Sequence, residues 1–281
     1  MKSIAIVGAG SMGKGIAYIC ALNGFDVYLN DINIQILEEA KCYIKNELNK
    51  SEKKGYIGKK AARKAMNNLT ISTDLSFCVK EVDLVIEAVL EEMNLKIKVF
   101  KELDELCNSK TIFATNTSTM SPTEIGAQTG RPDKVIAMHF FNPVHKMKLI
   151  EIVKGLNTSE ETIQLIQEVG LNLGKETVEI SEFPGFVTSR MNCLIGNEAM
   201  NMLMEGVASA IDIDKAIKLG LNHPMGPLEL ADLVGLDTRL RNLEYLYNTL
   251  GEKYRPSPLL RKYVNAGKLG KKTKVGIYNY N

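Results

Sequence analysis

The chain has 281 residues, of which 45% are hydrophobic, so it can bury a substantial core and two domains are expected. Its 35 basic and 33 acidic residues give a net charge of +2, which argues against a nucleic-acid partner. No stretch approaches the roughly 20 apolar residues of a membrane span, and the first residues lack the apolar core and cleavage site of a signal peptide. We therefore expect no membrane partner.

The cysteines and histidines show no metal-binding spacing. The five cysteines are scattered without a CxxC pair, which is typical of a reducing compartment and predicts a cytoplasmic protein. They are Cys20, Cys42, Cys78, Cys107 and Cys193. The histidines are His139, His145 and His223, and a zinc site would need ligands that the sequence does not offer. We expect no metal.

Up to about residue 182, short β-branched runs alternate with longer helical patterns. Strands are predicted at residues 4–7, 27–30, 84–89, 111–114, 135–139 and 149–153. The alternation predicts βαβ units on a mostly parallel sheet. Residues 31–70 form a long stretch rich in Lys and Glu with apolar residues at helical intervals, which predicts a protruding pair of helices.

The pattern changes near residue 183, where Pro184 and Gly185 interrupt it. Helical spacing dominates afterwards. The predicted helices are residues 188–205, a helix from an N-cap at Asp212 to Leu219 with Gly220 at its C-cap, and a helix that begins at Gly226-Pro227. We predict a doubly wound α/β domain over residues 1–183 and an all-α domain over residues 184–281.

A glycine-rich turn directly follows the first predicted strand and precedes a helix. Its sequence is Gly8-Ala9-Gly10-Ser11-Met12-Gly13. Gly8 permits the tight turn, Gly10 lets the backbone approach a pyrophosphate, and Gly13 lets the helix pack close to the strand. A helix is predicted to begin at Gly15, and its N-terminus supplies N–H groups for the anion. Ser11 and Met12 of the turn are expected to contact the cofactor with the glycines. This context favours a Rossmann-type dinucleotide site over a glycine turn without a ligand.

Asp31, at the end of the second predicted strand, indicates which dinucleotide to expect. It lies 18 positions after Gly13 (31 minus 13). A carboxylate there accepts hydrogen bonds from the adenosine ribose hydroxyls and repels a 2′-phosphate. We therefore predict NAD as the cofactor and consider NADP disfavoured.

A histidine and a glutamate lie in two later apolar strands. His139 ends the strand predicted at residues 135–139, and Glu151 lies within the strand at residues 149–153. A buried carboxylate is costly unless it is paired, and His139 is the natural partner. A polar run at residues 115–119, which includes Ser118, follows another strand at the ligand-binding edge of the sheet.

The His139–Glu151 pair suits the interconversion of an alcohol and a ketone. The imidazole exchanges the hydroxyl proton while hydride passes to or from a nicotinamide, and the carboxylate orients the ring and stabilises imidazolium. The alternative for His139 is a core histidine with satisfied hydrogen bonds. The neighbouring dinucleotide site favours the catalytic interpretation.

Seven segments resemble the L-3-hydroxyacyl-CoA dehydrogenase family, in order and with family-like spacing. They are residues 8–13, Asn116-Thr117-Ser118, His139-Phe140-Phe141-Asn142-Pro143, residues 147–151, Pro184-Gly185-Phe186, His223-Pro224-Met225-Gly226-Pro227 and Gly270-Lys271-Lys272-Thr273. The chain is most similar to the short, single-function bacterial members. The resemblance implies NAD-dependent interconversion of an L-3-hydroxyacyl-CoA and its 3-keto form, with 3-hydroxybutyryl-CoA and acetoacetyl-CoA as the expected pair.

The resemblance also implies residue roles. His139 is the acid/base, Glu151 its partner, and Ser118 a hydrogen-bond donor near the substrate oxygen and the nicotinamide. Further cofactor contacts are implied for Asp31, Glu91, Lys96, Asn142 and Lys272. Substrate contacts are implied for Ser118 and Asn142, and CoA contacts for Lys50, Lys53 and Lys54. The alternatives are a solvated ion pair for Glu91 and Lys96, a turn former for Asn142, a basic tail for Lys272, and a solvated face for the remaining lysines.

Ser189 departs from the family pattern. The helix after Pro184-Gly185-Phe186 usually carries an asparagine before the arginine, and here Ser189 precedes Arg190. Ser189 is expected to fill this catalytic and substrate-binding position, but its shorter side chain either reaches the substrate through water or leaves the task to Asn192. His145-Lys146 is a second departure, since the family tends to have proline and an apolar residue there.

Two alternative functions share this fold. One is a dehydrogenase for a 3-hydroxy acid not attached to CoA, and the other is a nucleotide-binding protein whose catalysis is impaired because Ser189 replaces the asparagine. Apolar stripes in the C-terminal helices include Met191, Met200, Met202 and Met204. They are either ordinary core or the surface of a homodimer, and the resemblance implies a homodimer formed through this domain.

Overall fold

The structure is a computed structural model, and it describes residues 1–280. The chain divides into two compact units, Met1–Glu182 and Phe183–Asn281. Over the described residues, no helix has both the length and the apolar character needed to cross a membrane.

An eight-stranded sheet forms the centre of the first unit. Its strands are β1 (Ser3–Val7), β2 (Asp26–Asn30), β3 (Leu69–Ser72), β4 (Leu84–Glu87), β5 (Ile112–Thr115), β6 (Val135–Phe140), β7 (Leu149–Lys154) and β8 (Glu176–Ser181). The spatial order is β3-β2-β1-β4-β5-β6-β7-β8, and only the β6–β7 pair is antiparallel. The predicted mostly parallel sheet is confirmed.

Helices connect the strands and provide both apolar layers. They are α1 (Ser11–Leu22), α2 (Ile34–Lys53), α3 (Lys59–Asn67), α4 (Leu75–Val79), α5 (Met93–Leu106), α6 (Pro122–Gly126) and α7 (Glu160–Asn172). Alternate residues of β1 point to opposite layers: Ile4 and Ile6 belong to one buried cluster, and Ala5 and Val7 to the other. A strand buried on both faces needs a continuous apolar run, which is why β1 was predictable.

Two strands, β3 and β8, were not predicted. Each lies at an edge of the sheet. β8 has the sequence Glu-Thr-Val-Glu-Ile-Ser and contains no buried residue; two of its residues are half-buried and the other four are exposed. β3 has only four residues and is fully buried only at Leu69. An edge strand with a solvated face has no apolar run, so the pattern that predicts central strands fails there.

The second unit is helical, as predicted. Its helices are α8 (Thr188–Met204), α9 (Ala210–Gly220), α10 (Pro227–Val234), α11 (Leu236–Leu250) and α12 (Pro258–Asn265). They enclose a separate buried cluster that includes Cys193, Leu228, Leu243 and Tyr254.

The N-cap predicted at Asp212 is wrong. Helix α9 begins earlier, and its N-cap is Ser209, whose hydroxyl oxygen accepts a hydrogen bond from the Asp212 amide at 3.2 Å. The Asp212 carboxylate accepts the Ser209 hydroxyl proton at 2.6 Å. Serine and aspartate are both common N-caps, and the serine captures the amide three residues ahead, so Asp212 lies inside the first turn. The helix also includes Gly220, and its C-cap is Leu221.

Candidate active site

The glycine turn has the geometry of a phosphate-binding loop. Gly8 has φ +101°, and a Cβ on it would lie 2.6 Å from the carbonyl oxygen of Ala88. A Cβ on Gly13 would lie 1.8 Å from the carbonyl oxygen of Gly8. Neither position tolerates a side chain without movement of the backbone. These two glycines hold β1, β4 and α1 close together.

Gly10 differs from the other two glycines of the turn. A Cβ on Gly10 would have no atom within 4 Å, so that residue borders open space. Gly10 is also the N-cap of α1, and no side chain caps this helix. The first turn of α1 carries no acidic residue, so its backbone amides and the positive end of the helix suit an anion. The turn therefore fits the pyrophosphate of a dinucleotide.

Asp31 lies beside this turn at the end of β2. Its carboxylate accepts hydrogen bonds from the amide of Ala9 at 2.9 Å and the amide of Asn33 at 3.0 Å. The two amides fix a negatively charged acceptor next to the phosphate loop. This position fits ribose hydroxyls and opposes a 2′-phosphate.

His139 and Glu151 lie directly opposite each other on β6 and β7. The Nδ1 atom of His139 is 2.7 Å from Oε2 of Glu151, and Nε2 is 3.1 Å from Oγ of Ser118. Glu151 has no exposed surface and His139 is 5% exposed. An ionised carboxylate only accepts hydrogen bonds, so Nδ1 carries a proton and donates it to Glu151. In neutral His139, Nε2 is then an acceptor, which is the form needed to take a proton from an alcohol.

The loops after β5 and β6 support this pair. The side-chain oxygen of Asn116 accepts the amide proton of Phe140 at 2.9 Å, which ties the loop after β5 to the last residue of β6. The ring of Phe141 lies 4.6 Å from the His139 ring, measured between centroids. Asn142 follows and is exposed. Asn116 is a structural tie that the sequence alone did not identify, although it lies within one of the family-like segments.

A second buried carboxylate was also missed at the sequence level. Glu87 ends β4, and its two oxygens lie 2.8 and 2.9 Å from Nζ of Lys96 on α5. Both residues have no exposed surface. The Lys96 ammonium is also 3.2 Å from the carboxylate of Glu91. Burial acts to lower the pKa of Lys96, but the two carboxylates outweigh it, so the pKa is raised and the ammonium stays charged at neutral pH.

Lys96 is fully buried and pairs with the buried Glu87. The alternative of a solvated ion pair is therefore wrong for Lys96. Glu91 is different, since 30% of its side chain is exposed. The signal for Glu87 was present in the sequence: like Glu151, it is a carboxylate in an apolar strand and needs a partner.

The lysines implied in CoA binding lie at the end of α2. Lys50 and Lys53 are in its last turn, and Lys54 is its C-cap. Nζ of Lys50 lies 2.6 Å from the carboxylate of Glu47. Lys50 and Lys54 are exposed, so these charges are accessible to an anionic ligand.

His145, one of the departures from the family pattern, is half-buried against α1 and α2. Its ring packs edge-on against Tyr18 with centroids 5.9 Å apart, and Nε2 is 3.9 Å from a carboxylate oxygen of Glu47. Burial lowers the pKa of His145, and Glu47 only partly opposes this effect. The residue is therefore neutral at pH 7, whereas the adjacent Lys146 is exposed.

Two implied site residues, Ser189 and Lys272, belong to the second unit. Ser189 lies in the first turn of α8 and is half-buried. Nζ of Lys272 lies 2.5 and 2.6 Å from the carboxylate oxygens of Asp237. Their contacts with substrate and cofactor stay predictions.

The comparisons with known proteins agree with this geometry. Residues 3–183 match the family model "3-hydroxyacyl-CoA dehydrogenase, NAD binding domain", and residues 185–280 match "3-hydroxyacyl-CoA dehydrogenase, C-terminal domain". The chain belongs to the 3-hydroxyacyl-CoA dehydrogenase family. The family resemblance and the NAD cofactor predicted from the sequence are confirmed.

Individual members of the family are similar to this chain over nearly its full length. The chain is similar to a probable 3-hydroxybutyryl-CoA dehydrogenase of Bacillus subtilis (strain 168), with 47% identity over 100% of this chain and 98% of the relative. It is 45% identical to a 3-hydroxybutyryl-CoA dehydrogenase of Clostridioides difficile over 99% of both chains. Among solved structures, (S)-3-hydroxybutyryl-CoA dehydrogenase PaaH1 from Ralstonia eutropha matches with a TM-score of 0.95, 41% identity and coverage of 100% and 99%. A diketoreductase matches at 0.85 and 34% identity, with coverage of 100% and 99%.

The open space at Gly10 generates a test of the phosphate loop. Replacing Gly10→Ala should raise the NADH dissociation constant roughly tenfold or more, about 1.4 kcal/mol, because the methyl group occupies the approach of the pyrophosphate. The thermal midpoint should change little, because no protein atom lies within 4 Å of that methyl group. Gly13→Ala should lower the midpoint as well, since its Cβ meets backbone. Fluorescence titration with NADH and thermal denaturation measure the two effects.

Gly220→Ala is a matched control, because its Cβ also meets no atom within 4 Å. It should leave the NADH affinity unchanged and should not lower the thermal midpoint, because alanine favours a helix more than glycine does. An unaltered NADH affinity in Gly10→Ala would show that the phosphate does not approach the chain at this position.

Proposed function

We propose that this chain interconverts L-3-hydroxybutyryl-CoA and acetoacetyl-CoA with NAD as its cofactor. The observation that carries the proposal is the series Ser118–His139–Glu151 at the carboxyl edge of the sheet, in the same unit as the glycine turn. The names of the relatives supply the acyl-CoA substrate, which the geometry of the site does not specify.

Proton transfer is the task of His139. In the oxidation, Nε2 takes the proton of the substrate 3-hydroxyl, and in the reduction the imidazolium returns it to the oxygen. The Glu151 carboxylate at 2.7 Å stabilises the imidazolium and keeps the proton of the neutral ring on Nδ1. The glycine turn and Asp31 would hold NAD, which would supply the hydride acceptor for the oxidation and, as NADH, the hydride donor for the reduction.

Ser118 positions the substrate oxygen. Its hydroxyl lies 3.1 Å from Nε2 of His139, so a substrate oxygen bound between the two groups can receive a hydrogen bond from Ser118 while it exchanges a proton with His139. Such a donor stabilises the charge that develops on the oxygen during hydride transfer. Asn142, which follows the His139 loop, is proposed to contact the cofactor and the substrate.

Cofactor and CoA are assigned to different parts of the first unit. The glycine turn would hold the pyrophosphate, Asp31 the adenosine ribose, and Glu91 the region near the nicotinamide. Lys50 and Lys54 at the end of α2 would meet the CoA phosphates as point charges. Lys272 is proposed to add a cofactor contact from the second unit.

The reaction is tested with purified protein, NADH and acetoacetyl-CoA, followed by the loss of NADH absorbance. We expect robust oxidation of NADH by the wild-type protein and a loss of about 100- to 10,000-fold in kcat for His139→Gln, which is the usual contribution of general acid–base catalysis. Glu151→Gln should lower kcat and change its pH profile, because the imidazolium loses its counter-charge. His223, which is half-buried in the second unit, provides the control, and His223→Gln should retain full kcat.

Other substrates discriminate the alternatives. The structural similarity to a diketoreductase favours, as a second candidate, a substrate without CoA. Turnover of free 3-hydroxy or 3-keto compounds without turnover of the thioester would replace the present proposal with that candidate. Tight NADH binding with no turnover of either class would favour the catalytically impaired protein.

Ser189 has its own test. Ser189→Asn restores the residue typical of the family, and we expect it to raise kcat/KM for acetoacetyl-CoA several-fold, because an amide reaches further and offers a stronger donor than a rotating hydroxyl. Ser189→Ala measures what the serine itself contributes. Unchanged kcat and KM in both variants would exclude a substrate contact at this position.

We also propose a homodimer formed through the helical unit. Met200 and Met202 pack into its core, so the ordinary-core alternative holds for them, whereas Met191 and Met204 are exposed. Other large apolar side chains exposed on the same unit are Val207, Ile211, Leu219, Leu221, Leu233 and Val234. Covering such side chains is a common driving force for association. Sedimentation equilibrium at micromolar concentration should give twice the mass of 31.1 kDa, and a monomer would contradict the proposal.

The five free cysteines support the expected cytoplasmic location.

A further inference from the structure

The connection between β6 and β7 contains one tight turn at residues 143–147. The carbonyl oxygen of Pro143 accepts the amide proton of Lys146 at 3.0 Å and the amide proton of Met147 at 3.1 Å. The segment is therefore a single helical turn. Such a turn leaves the carbonyls at its C-terminal end without partners inside it, so they need donors from elsewhere in the chain.

Lys175 supplies those donors. It lies between α7 and β8, and its Nζ atom is 2.6 Å from the carbonyl oxygen of Val144 and 2.7 Å from the carbonyl oxygen of Met147. An ammonium has three protons, so it can donate to both oxygens at once. Its charge also suits the negative end of a helical turn. Lys175 thus closes the turn from a part of the chain that follows β7.

The Lys175 ammonium has no carboxylate partner among the ion pairs of the described residues. The residue is only 8% exposed, and burial lowers the pKa of its ammonium. A buried charge is unfavourable unless hydrogen bonds compensate it. Here the two carbonyl oxygens of the turn provide that compensation, so the lysine and the turn fix each other in place.

The side chain of Val144 connects the turn to helix α1. Val144 belongs to the same buried cluster as Ile16 and Ala17 of that helix. A Cβ added to Gly15 would lie 2.8 Å from Cγ2 of Val144, so the contact leaves no room for a further atom. Helix α1 begins directly after Gly10, the open position of the phosphate loop. The turn is therefore packed against the helix that would hold the dinucleotide.

The two residues that precede the turn lie beside His139. The Phe141 ring is 4.6 Å from the His139 ring, measured between centroids, and the exposed Asn142 follows it. Asn142 is the residue proposed above to contact the cofactor and the substrate. Because Asn142 directly precedes the turn, a displacement of the turn would displace Asn142 as well.

We infer that Lys175 is a positioning residue, which closes the turn at residues 143–147 and thereby holds Asn142 in a fixed place relative to α1. It acts only through the carbonyls of Val144 and Met147. Without the ammonium, both oxygens lose their donor, and the turn must move towards water because an unsatisfied buried carbonyl is costly. The inference rests on the proposed function for its effect on turnover, but not for its effect on the turn.

The first test replaces Lys175→Met, which keeps an apolar stem and removes the donors. Three quantities are measured: hydrogen exchange of the peptide covering residues 141–148, the NADH dissociation constant by fluorescence, and kcat/KM for acetoacetyl-CoA at saturating NADH. Exchange should accelerate, because the amides of Lys146 and Met147 lose the protection of the turn. The NADH dissociation constant should rise. We expect kcat/KM to fall about tenfold or more, as small displacements of reacting groups can cause.

Lys175→Arg supplies the conservative rescue, since a guanidinium also offers donors for two oxygens. It should exchange more slowly and turn over faster than Lys175→Met. The control is Lys134→Met, which removes a similar contact at the opposite end of β6. Nζ of Lys134 lies 2.7 Å from the carbonyl oxygen of Ser109. This variant should match the wild type in all three measurements.

A second test approaches the turn from α1 and leaves Lys175 intact. Gly15→Ala places a methyl group against Val144, so it should displace the turn, accelerate exchange at residues 141–148 and weaken NADH binding. Adding Val144→Ala removes the Cγ2 atom that the methyl group meets. The double variant should therefore recover slow exchange and NADH affinity relative to Gly15→Ala.

Three outcomes would overturn the inference. One is exchange of residues 141–148 at the wild-type rate in Lys175→Met. Another is accelerated exchange in that variant with unchanged NADH affinity and kcat/KM, which would limit Lys175 to a structural role. The third is a double variant that recovers nothing relative to Gly15→Ala. If the wild type turned over no acyl-CoA, the proposed function would fail, yet exchange and NADH affinity would still decide the role of Lys175.

Discussion

The buried carboxylate of Glu151 is the constraint on which the site depends. An ionised group with no exposed surface, inside an apolar strand, costs several kcal/mol unless a partner compensates it. The antiparallel pairing of β6 and β7 places His139 directly opposite, and the contact at 2.7 Å supplies that partner. The same contact sets the tautomer of the ring, so Nε2 faces the Ser118 hydroxyl as an acceptor in the neutral form. The hydrogen bond that compensates the buried charge is therefore also the one that orients the imidazole.

The same physical rule operates a second time in the sheet. Glu87 ends β4 as a buried carboxylate, and Lys96 from α5 compensates it. Because β1, β4, β5 and β6 are consecutive parallel strands, their carboxyl ends lie along one edge. The phosphate loop, the Glu87–Lys96 pair, Ser118 and His139 all emerge there. A parallel sheet thus concentrates the charged groups, and buried pairing keeps each of them in a defined position.

Much of the fold and of the candidate site could be predicted from the sequence, because the residue patterns that indicate them are local or reflect the energetic cost of an unpaired buried charge. Central strands appear as apolar runs, and the glycine turn needs its residues at fixed spacing between a strand and a helix. The partnership of His139 and Glu151 was predictable because a carboxylate in an apolar strand has few ways to be satisfied. Polar edge strands such as β8 were missed, since a solvated face leaves no apolar run. At α9, two adequate caps competed, and the sequence does not rank Ser209 above Asp212.

The sequence by itself determined the fold class, the glycine turn, the pairing of His139 with Glu151 and the family. Only the tertiary structure decided the environment of Lys96, because its neighbours along α5 are compatible with an exposed ion pair. Packing of α5 against the sheet, through Phe100, Leu103 and Val85 in one buried cluster, turns Lys96 inward to Glu87. In the same way, packing buried Met200 and left Met191 exposed. Spacing along a chain shows which residues share a face, but which face is buried depends on what packs against it.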